Sequence, residues 1–177
     1  WREQLKRAKT IVALGGSSDR GGLGLGTRMG APRPTKVRLA DYVMRRLADE
    51  GVRHIFLVTG GGAMHLNDAI ARESRIHYIC NHHEQASAIA AEGYARTADK
   101  LGVVNVTAGP GAINALNGVF GAFTDSVPML VISGQAKRET CMASYDVPGL
   151  RQLGDQEVDI VAMVKPITKY ARLILDP

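Results

Sequence analysis

The 177-residue chain has few cysteines and no long apolar run, and each shortage excludes a class of protein. Its two cysteines, Cys80 and Cys141, are far apart and form no CxxC pair. Two such cysteines argue against a disulfide scaffold or a zinc ribbon. They are typical of a protein from the reducing cytoplasm. Apolar runs such as residues 55–58 and 129–132 are far shorter than the roughly 18 residues of a membrane-spanning helix. We therefore expect a soluble, cytoplasmic protein that does not act in a membrane.

The excess positive charge is confined to the N-terminal segment. The net charge is +5, but residues 1–38 carry +7 and residues 39–177 carry −2. A nucleic-acid-binding domain carries its lysines and arginines on the folded part, so we expect no nucleic-acid partner. Residues 1–36 are rich in Gly and Arg, and we expect them to form a flexible, disordered leader.

From Leu39 onwards, helical patterns alternate with short apolar runs that have the length of strands. This alternation predicts βαβ crossovers and a parallel sheet with helices on both faces, in one domain over residues 37–177. A long loop is expected over residues 134–153. The predicted strands cover residues 54–59, 76–80, 102–107, 128–133 and 171–175, and the predicted helices cover residues 39–47, 63–72, 84–96, 112–123 and 158–164.

The carboxyl edge of the predicted sheet is the expected ligand site, because ligands of open parallel sheets bind beyond the ends of the strands. Four turns reach that edge, at residues 60–62, 81–84, 107–111 and 133–135. Glycines in these turns allow a ligand or a neighbouring segment to approach the backbone closely.

The turn Asn81-His-His-Glu84 carries the most concentrated polar chemistry. It lacks the spacing of a zinc protease motif, because Ser87 stands where the second histidine is needed, so we expect no metal ligands. Two interpretations of Glu84 remain open. It caps the following helix and complements its dipole, or it exchanges a proton with a ligand, for which a carboxylate among apolar neighbours is suited.

The other candidates have mainly structural explanations. Residues 107–114 form a strand, a glycine turn and a helix start, as phosphate-binding turns do. They read G-x-G-x-x-N, without the third glycine of the dinucleotide motif, so tight strand-to-helix packing is at least as good an explanation. Cys80 is expected to be a buried core residue. Structural roles are also expected for the isolated histidines, His54, His65 and His77.

Four motifs follow one another between residues 83 and 157. They are His83-Glu-Gln-Ala-Ser-Ala-Ile-Ala-Ala-Glu-Gly-Tyr-Ala-Arg96, Thr107-Ala-Gly-Pro-Gly-Ala-Ile-Asn114, Asp125-Ser-Val-Pro-Met-Leu-Val-Ile-Ser-Gly-Gln135 and Gln156-Glu157. Together they resemble the thiamine-diphosphate-dependent enzymes of the acetolactate synthase type. The resemblance covers about residues 37–177 and implies the N-terminal, pyrimidine-binding domain, a three-layer, doubly wound, six-stranded parallel α/β fold.

The resemblance also implies a mechanism. In the family, the glutamate that matches Glu84 hydrogen-bonds N1′ of the aminopyrimidine of thiamine diphosphate. The activated cofactor then attacks a 2-oxo acid such as pyruvate, releases carbon dioxide and transfers the acyl carbanion to a second carbonyl. The implied cofactor contacts are Gly61, Gly62, Ala63, Thr107, Pro110 and Asn114, and the implied substrate contacts are Gln135 and Gln156.

Parts of the implied site are absent from this sequence. In the family, Mg²⁺ and the diphosphate are held by a separate domain with a Gly-Asp-Gly motif, and a central domain holds FAD in some members. We therefore expect a fragment of a longer enzyme, inactive alone, whose site is completed by the diphosphate-binding domain of a second subunit in a homodimer or homotetramer. The alternatives are a split or non-catalytic subunit that needs a separate diphosphate-binding chain, and a nucleotide-binding α/β domain.

The sequence departs from the family pattern near the implied substrate. Asp155 stands where the family usually has Phe, and Thr59-Gly60-Gly61 stands where it has Pro-Gly-Gly. An acidic side chain in place of an aromatic one favours an acceptor other than a second 2-oxo acid, such as a keto-sugar.

Overall fold

The computed structural model describes the backbone of residues 10–15, and residues 37–145 and 147–175 in full. Within them, six strands form one sheet with the order β3-β2-β4-β5-β1-β6, and every neighbouring pair is parallel. This confirms the predicted doubly wound parallel sheet. The strands are β1 (Thr10–Gly15), β2 (His54–Leu57), β3 (His77–Cys80), β4 (Gly102–Val106), β5 (Met129–Gly134) and β6 (Tyr170–Ile174).

Helices cover both faces of the sheet and create two separate cores. Successive side chains of a strand point to opposite faces, so Val103 packs with Met44 in the core under the first two helices, and Val104 packs with Val119 in the opposite core. None of the described helices is long and apolar enough to cross a bilayer. The helices are α1 (Leu39–Asp49), α2 (Met64–Arg72), α3 (Glu84–Ala98), α4 (Pro110–Asn114), α5 (Leu116–Thr124) and α6 (Ile160–Val164).

Residues 10–15 differ from the leader that was predicted for residues 1–36. Their backbone forms β1, which pairs with β5 on one side and β6 on the other. The segment reads Thr-Ile-Val-Ala-Leu-Gly, and β-branched and other apolar residues of this kind favour a strand inside a parallel sheet. The leader prediction is therefore wrong for this segment. The rest of the predicted leader, residues 1–9 and 16–36, lies outside the described residues.

The edge strand β3 is exposed, unlike β4 and β5, whose residues are all buried. It pairs only with β2 among the described strands. Cys80, at its end, is an exposed free thiol. The prediction that Cys80 is a buried core residue is therefore wrong, because the apolar run that contains it lies at the uncovered edge of the sheet.

The connections after β2 and β4 leave the sheet on opposite faces. These two strands are neighbours, but α2 follows β2 into one core, while α4 and α5 follow β4 into the other. Such a reversal opens a crevice beyond the carboxyl ends of the two strands. The glycine turns at residues 60–62 and 107–111 begin there.

Candidate functional site

A cavity of about 930 Å³ lies at the carboxyl ends of β2, β4 and β5. Residues 60–62 line it after β2, Thr107 and Ala108 line it after β4, and Gln135 lines it after β5. This is the edge of the sheet that the sequence predicts as the ligand site. The opposite wall comes from the loop between β5 and α6 and includes Lys137, Glu139, Thr140, Leu153, Asp155 and Gln156.

The first glycine turn packs tightly against the ends of the neighbouring strands. The Gly62 N–H donates a hydrogen bond to Thr107 Oγ1 at 3.0 Å. A Cβ at Gly60 would lie 2.5 Å from the Cβ of Thr107, and a Cβ at Gly134 would lie 2.2 Å from the Gly62 carbonyl oxygen. The absence of side chains at these glycines therefore lets three strand ends meet.

The turn presents backbone to the cavity. Gly61 and Gly62 are exposed in its wall, whereas Ala63, which also lines the cavity, is buried. A ligand in the cavity can therefore approach the backbone closely at these residues.

Glu84 is the first residue of α3, and only 8% of its surface is exposed. The helix is capped by His83, whose Nδ1 accepts a hydrogen bond from the Gln85 N–H at 3.1 Å. The Glu84 carboxylate is directed elsewhere, because its Oε2 accepts a hydrogen bond from Asn114 Nδ2 at 3.0 Å. Side-chain capping is thus supplied by His83, and the carboxylate of Glu84 faces α4.

The second oxygen of Glu84, Oε1, is open to a ligand. It accepts no hydrogen bond from the described residues, and among their polar side-chain atoms only Asn105 Oδ1 is both fully buried and unpaired. Gly111 lies beside it, since a Cβ there would be 3.1 Å from Oε1 and 2.6 Å from Thr107 Cγ2. The missing side chain at Gly111 therefore lets α4 pack directly on Thr107 and on the carboxylate of Glu84.

Thr107 stands between Glu84 and the large cavity. Its side chain accepts the hydrogen bond from the glycine turn on one side and approaches Gly111 on the other. Glu84 does not line the cavity. The structure therefore divides the predicted site residues into a cavity group, which contains Gly61, Gly62, Ala63, Thr107, Gln135 and Gln156, and a carboxylate group on α3 and α4, which contains Glu84, Pro110 and Asn114.

The predicted helix over residues 112–123 is interrupted, and this break shapes the carboxylate group. The structure has two helices in place of the predicted one, α4 and α5, which are separated at Ala115. Asn114 is the last residue of α4, and its exposed side chain reaches Glu84 there.

The two predicted substrate glutamines have different surroundings. Gln135 is buried, and both ends of its amide are engaged, because Nε2 donates to the Val158 carbonyl at 3.1 Å and Oε1 accepts from the Ala136 N–H at 2.9 Å. Gln156 is exposed in the cavity wall and has a left-handed backbone with φ 53°. Gln135 therefore holds the loop in place, and Gln156 is the one available to a ligand.

Lys137 and Glu139 line the cavity but were missed in the sequence, and His65, for which a structural role was expected, lines it as well. His65 lies in the first turn of α2, and Lys137 lies two residues after Gln135 at the end of β5. The position of Lys137 shortly after the end of β5 was a signal that could have found it, whereas His65 lies well beyond the end of β2 and had no such signal. Within residues 37–145 and 147–175, no group of three or more His, Cys, Asp or Glu side chains is placed to hold a metal ion.

The fold and the site together define a parallel α/β ligand-binding domain, with a buried carboxylate and a glycine-lined cavity at its topological switch point. The family model "Thiamine pyrophosphate enzyme, N-terminal TPP binding domain" matches residues 37–163. The chain belongs to this family. The match confirms the resemblance found in the motifs and decides against the nucleotide-binding alternative.

Curated relatives of the chain are acetolactate synthases. It is 40% identical over 135 residues to the acetolactate synthase large subunit of Buchnera aphidicola subsp. Schizaphis graminum, a match that covers 76% of this chain and 22% of the relative. It is 38% identical over 135 residues to the acetolactate synthase isozyme 3 large subunit of Escherichia coli K12, with the same coverage. It is 37% identical over 140 residues to the chloroplastic acetolactate synthase of Arabidopsis thaliana, covering 77% of this chain and 19% of the relative.

The chain spans about a fifth of the length of these relatives, as the 22% coverage shows. It carries the thiamine-pyrophosphate-binding N-terminal domain of acetolactate synthase-like enzymes.

Proposed function

We propose that this domain supplies the proton-exchanging carboxylate, Glu84, and one wall of the substrate pocket in a thiamine-diphosphate-dependent enzyme. The enzyme decarboxylates a 2-oxo acid such as pyruvate and transfers the acyl group to a second carbonyl compound, as a lyase or transferase. The observation that carries the proposal is the geometry of Glu84, which is buried, held at Oε2 by Asn114 and open at Oε1 beside Gly111.

The residues of the carboxylate group fit the aminopyrimidine of the cofactor. When bound, thiamine diphosphate supplies an electron sink for the electron pair that remains when carbon dioxide leaves. Glu84 holds a proton at the pyrimidine nitrogen N1′ and exchanges it during the cycle. Asn114 engages Oε2 and so leaves Oε1 for the ring. Thr107 packs against Gly111 beside the carboxylate, and Pro110 begins the helix α4 that carries Asn114.

The cavity group fits the substrate. Lys137 and His65 line the cavity together with the exposed backbone of Gly61 and Gly62, and a cation beside open backbone suits the carboxylate of a 2-oxo acid. Gln156 adds a neutral hydrogen-bonding side chain to the same wall.

The charge of the cavity wall supports a second substrate other than a 2-oxo acid. Asp155 and Glu139 both line the wall. Two carboxylates beside the site repel a second anionic acceptor, whereas hydroxyl groups can donate hydrogen bonds to them. A neutral, hydroxylated carbonyl compound such as a keto-sugar is therefore the proposed acceptor.

An exposed apolar surface on α3, α4 and α5 adjoins Glu84 and supports a partner subunit. Ile89, Ile113, Phe120 and Phe123 are each between 39% and 54% exposed, and exposed clusters of large apolar side chains mark interaction sites. We infer that the diphosphate-binding domain of a second subunit covers this surface and closes the cofactor site, in a homodimer or a homotetramer.

The metal ion and the flavin belong to other domains in this proposal. Mg²⁺ would be bound with the diphosphate by that second domain, and FAD would be bound in a further domain of the longer protein. The split-subunit alternative is distinguished by mixing, because it predicts that cofactor binding appears only when a separate diphosphate-binding chain is added. A cytoplasmic location is supported by the two free thiols, which are typical of a reducing compartment.

A chimeric enzyme tests the proposal. Residues 37–163 replace the matching segment of the Escherichia coli isozyme 3 large subunit, and carbon dioxide release from pyruvate is measured. Glu84→Gln should lower kcat about 10²- to 10⁴-fold, the usual contribution of acid–base catalysis. Glu92→Gln, the same change on the same helix at a residue paired with Arg96, is the matched control and should leave kcat within a few-fold. Equal kcat values for the two variants would contradict the assignment of Glu84.

A further inference from the structure

The carboxylate of Glu157 joins the two halves of the loop between β5 and α6, in addition to the hydrogen bonds made by Gln135. Its Oε1 accepts hydrogen bonds from the Met142 N–H at 2.7 Å and from the Cys141 thiol at 3.0 Å. Its Oε2 accepts a hydrogen bond from the Gly154 N–H at 3.0 Å. Both oxygens are used, so one side chain ties the first half of the loop to the second.

The residues that this carboxylate ties down are the neighbours of the cavity wall. Thr140 immediately precedes Cys141, while Asp155 and Gln156 lie between Gly154 and Glu157, and all three line the cavity. The two ends of the loop also pack on each other, since a Cβ at Gly154 would lie 2.4 Å from the Cβ of Ala136.

The fastened loop rests on the turn that leads to the carboxylate group. The Gln156 carbonyl oxygen is 2.1 Å from the position that a Cβ at Gly109 would take. Gly109 immediately precedes α4, whose last residue, Asn114, holds Glu84. The loop that Glu157 ties together therefore packs directly on the turn that precedes α4.

We propose that Glu157 is a positioning residue, which holds the loop so that Gln156 faces the substrate cavity. The functional part of this inference rests on the proposed function of the cavity. Glu157 itself does not line the cavity, and all its described hydrogen bonds go to the loop. Its expected effect is therefore on substrate binding and not on the proton exchange at Glu84.

Cys141 provides a direct reporter of this arrangement. Its side chain is 1% exposed, and burial together with the hydrogen bond to Glu157 raises the pKa of the thiol. A buried, protonated thiol reacts slowly, because the thiolate is the nucleophile. The chain has only one other cysteine, the exposed Cys80, so Cys80→Ser leaves Cys141 as the single thiol.

The first experiment measures the rate at which a disulfide reagent such as DTNB labels Cys141 in the full chain with Cys80→Ser. Adding Glu157→Gln should accelerate labelling about 10- to 100-fold, because the amide nitrogen cannot accept the hydrogen bond from the Gly154 N–H and a hydrogen bond to a charged group is lost. Asp155→Asn removes the same charge two residues away without such a bond and should change the rate less than twofold.

Before labelling, circular dichroism is used to check that each variant keeps its helices. Glu157→Asp is the second variant in case Glu157→Gln does not fold. It keeps the charge but is one methylene too short to reach both halves of the loop, so it should label at an intermediate rate. Labelling of both folded variants at the rate of the parent protein would overturn the proposal.

The second experiment separates positioning from a purely structural effect. In the chimeric enzyme, Glu157→Gln should raise KM for pyruvate several-fold and change kcat less than twofold, which is the reverse of the pattern expected for Glu84→Gln. Faster labelling of Cys141 with an unchanged KM would overturn the positioning role and leave the proposed function standing. An inactive parent chimera would count against the proposed function, and the labelling rates would still decide whether Glu157 fastens the loop.

Discussion

Replacing Gly109 by alanine tests the contact between the cavity loop and the turn after β4. Gly109 has φ 56° and ψ −118°, a backbone conformation that residues other than glycine rarely adopt. A Cβ there would also lie 2.1 Å from the Gln156 carbonyl oxygen and 3.1 Å from the Gln156 Cβ. The substitution therefore strains the backbone and pushes the loop away at the same point.

The expected loss of stability has two parts. Holding a residue other than glycine in this region of φ and ψ costs about 1–3 kcal/mol, and overpacking a filled site costs about 1–3 kcal/mol. Gly109→Ala should therefore lower the free energy of unfolding by about 2–6 kcal/mol, a large share of the roughly 5–15 kcal/mol that stabilises a typical domain.

Urea denaturation of the chain, followed by circular dichroism, measures this loss. Gly93→Ala is the matched control, since Gly93 lies within α3, and nothing lies within 4 Å of a Cβ placed there. It should raise the free energy of unfolding by about 0.5–1 kcal/mol, the usual advantage of alanine over glycine in a helix. A Gly109→Ala protein as stable as the parent would refute the packing of the loop on this turn.

Three further predictions follow from described contacts. Asn114→Ala should lower kcat of the chimeric enzyme about 10- to 100-fold, because losing a hydrogen bond to the charged Glu84 costs about 1.5–3 kcal/mol. Steady-state kinetics checks this, and an unchanged kcat would contradict it. Glu73→Gln should lower the stability at pH 7 by about 1 kcal/mol or less, since Arg75 holds the pKa of Glu73 at about 2. That difference should fade as the pH falls from 4.5 to 2 in urea titrations, and a difference that persists at pH 2 would argue against the ion pair. DTNB should label the native chain in one fast and one slow phase, and Cys80→Ser should remove the fast one, because Cys80 is the exposed thiol; survival of the fast phase would contradict that exposure.

The sequence contained most of the fold because the elements after Leu39 have strong local patterns. Strands such as residues 102–107 are continuous apolar runs, and the helix over residues 84–96 is rich in alanine, so each differs by only a few residues from the structure. Glu84 was found for a related reason, since a polar residue directly after a buried strand lies at the carboxyl edge of a parallel sheet.

The features that were missed depend on contacts between distant segments. Glu157 and Cys141 are 16 residues apart, and no periodicity connects them across an irregular loop. The exposure of Cys80 depends on which strand lies at the edge of the sheet, which an apolar run alone does not reveal. The division of the site by Thr107 likewise depends on the packing of Gly60 and Gly111 against one side chain.

The role of Glu84 is tested most directly by the exchange of the C2 proton of thiamine diphosphate into D₂O, measured by NMR in the chimeric enzyme. The Glu84→Gln variant should exchange this proton at least about 100-fold more slowly than the parent, while it still binds the cofactor. Equal exchange rates in the two proteins, with cofactor bound in both, would show that this carboxylate does not take part in activating the cofactor.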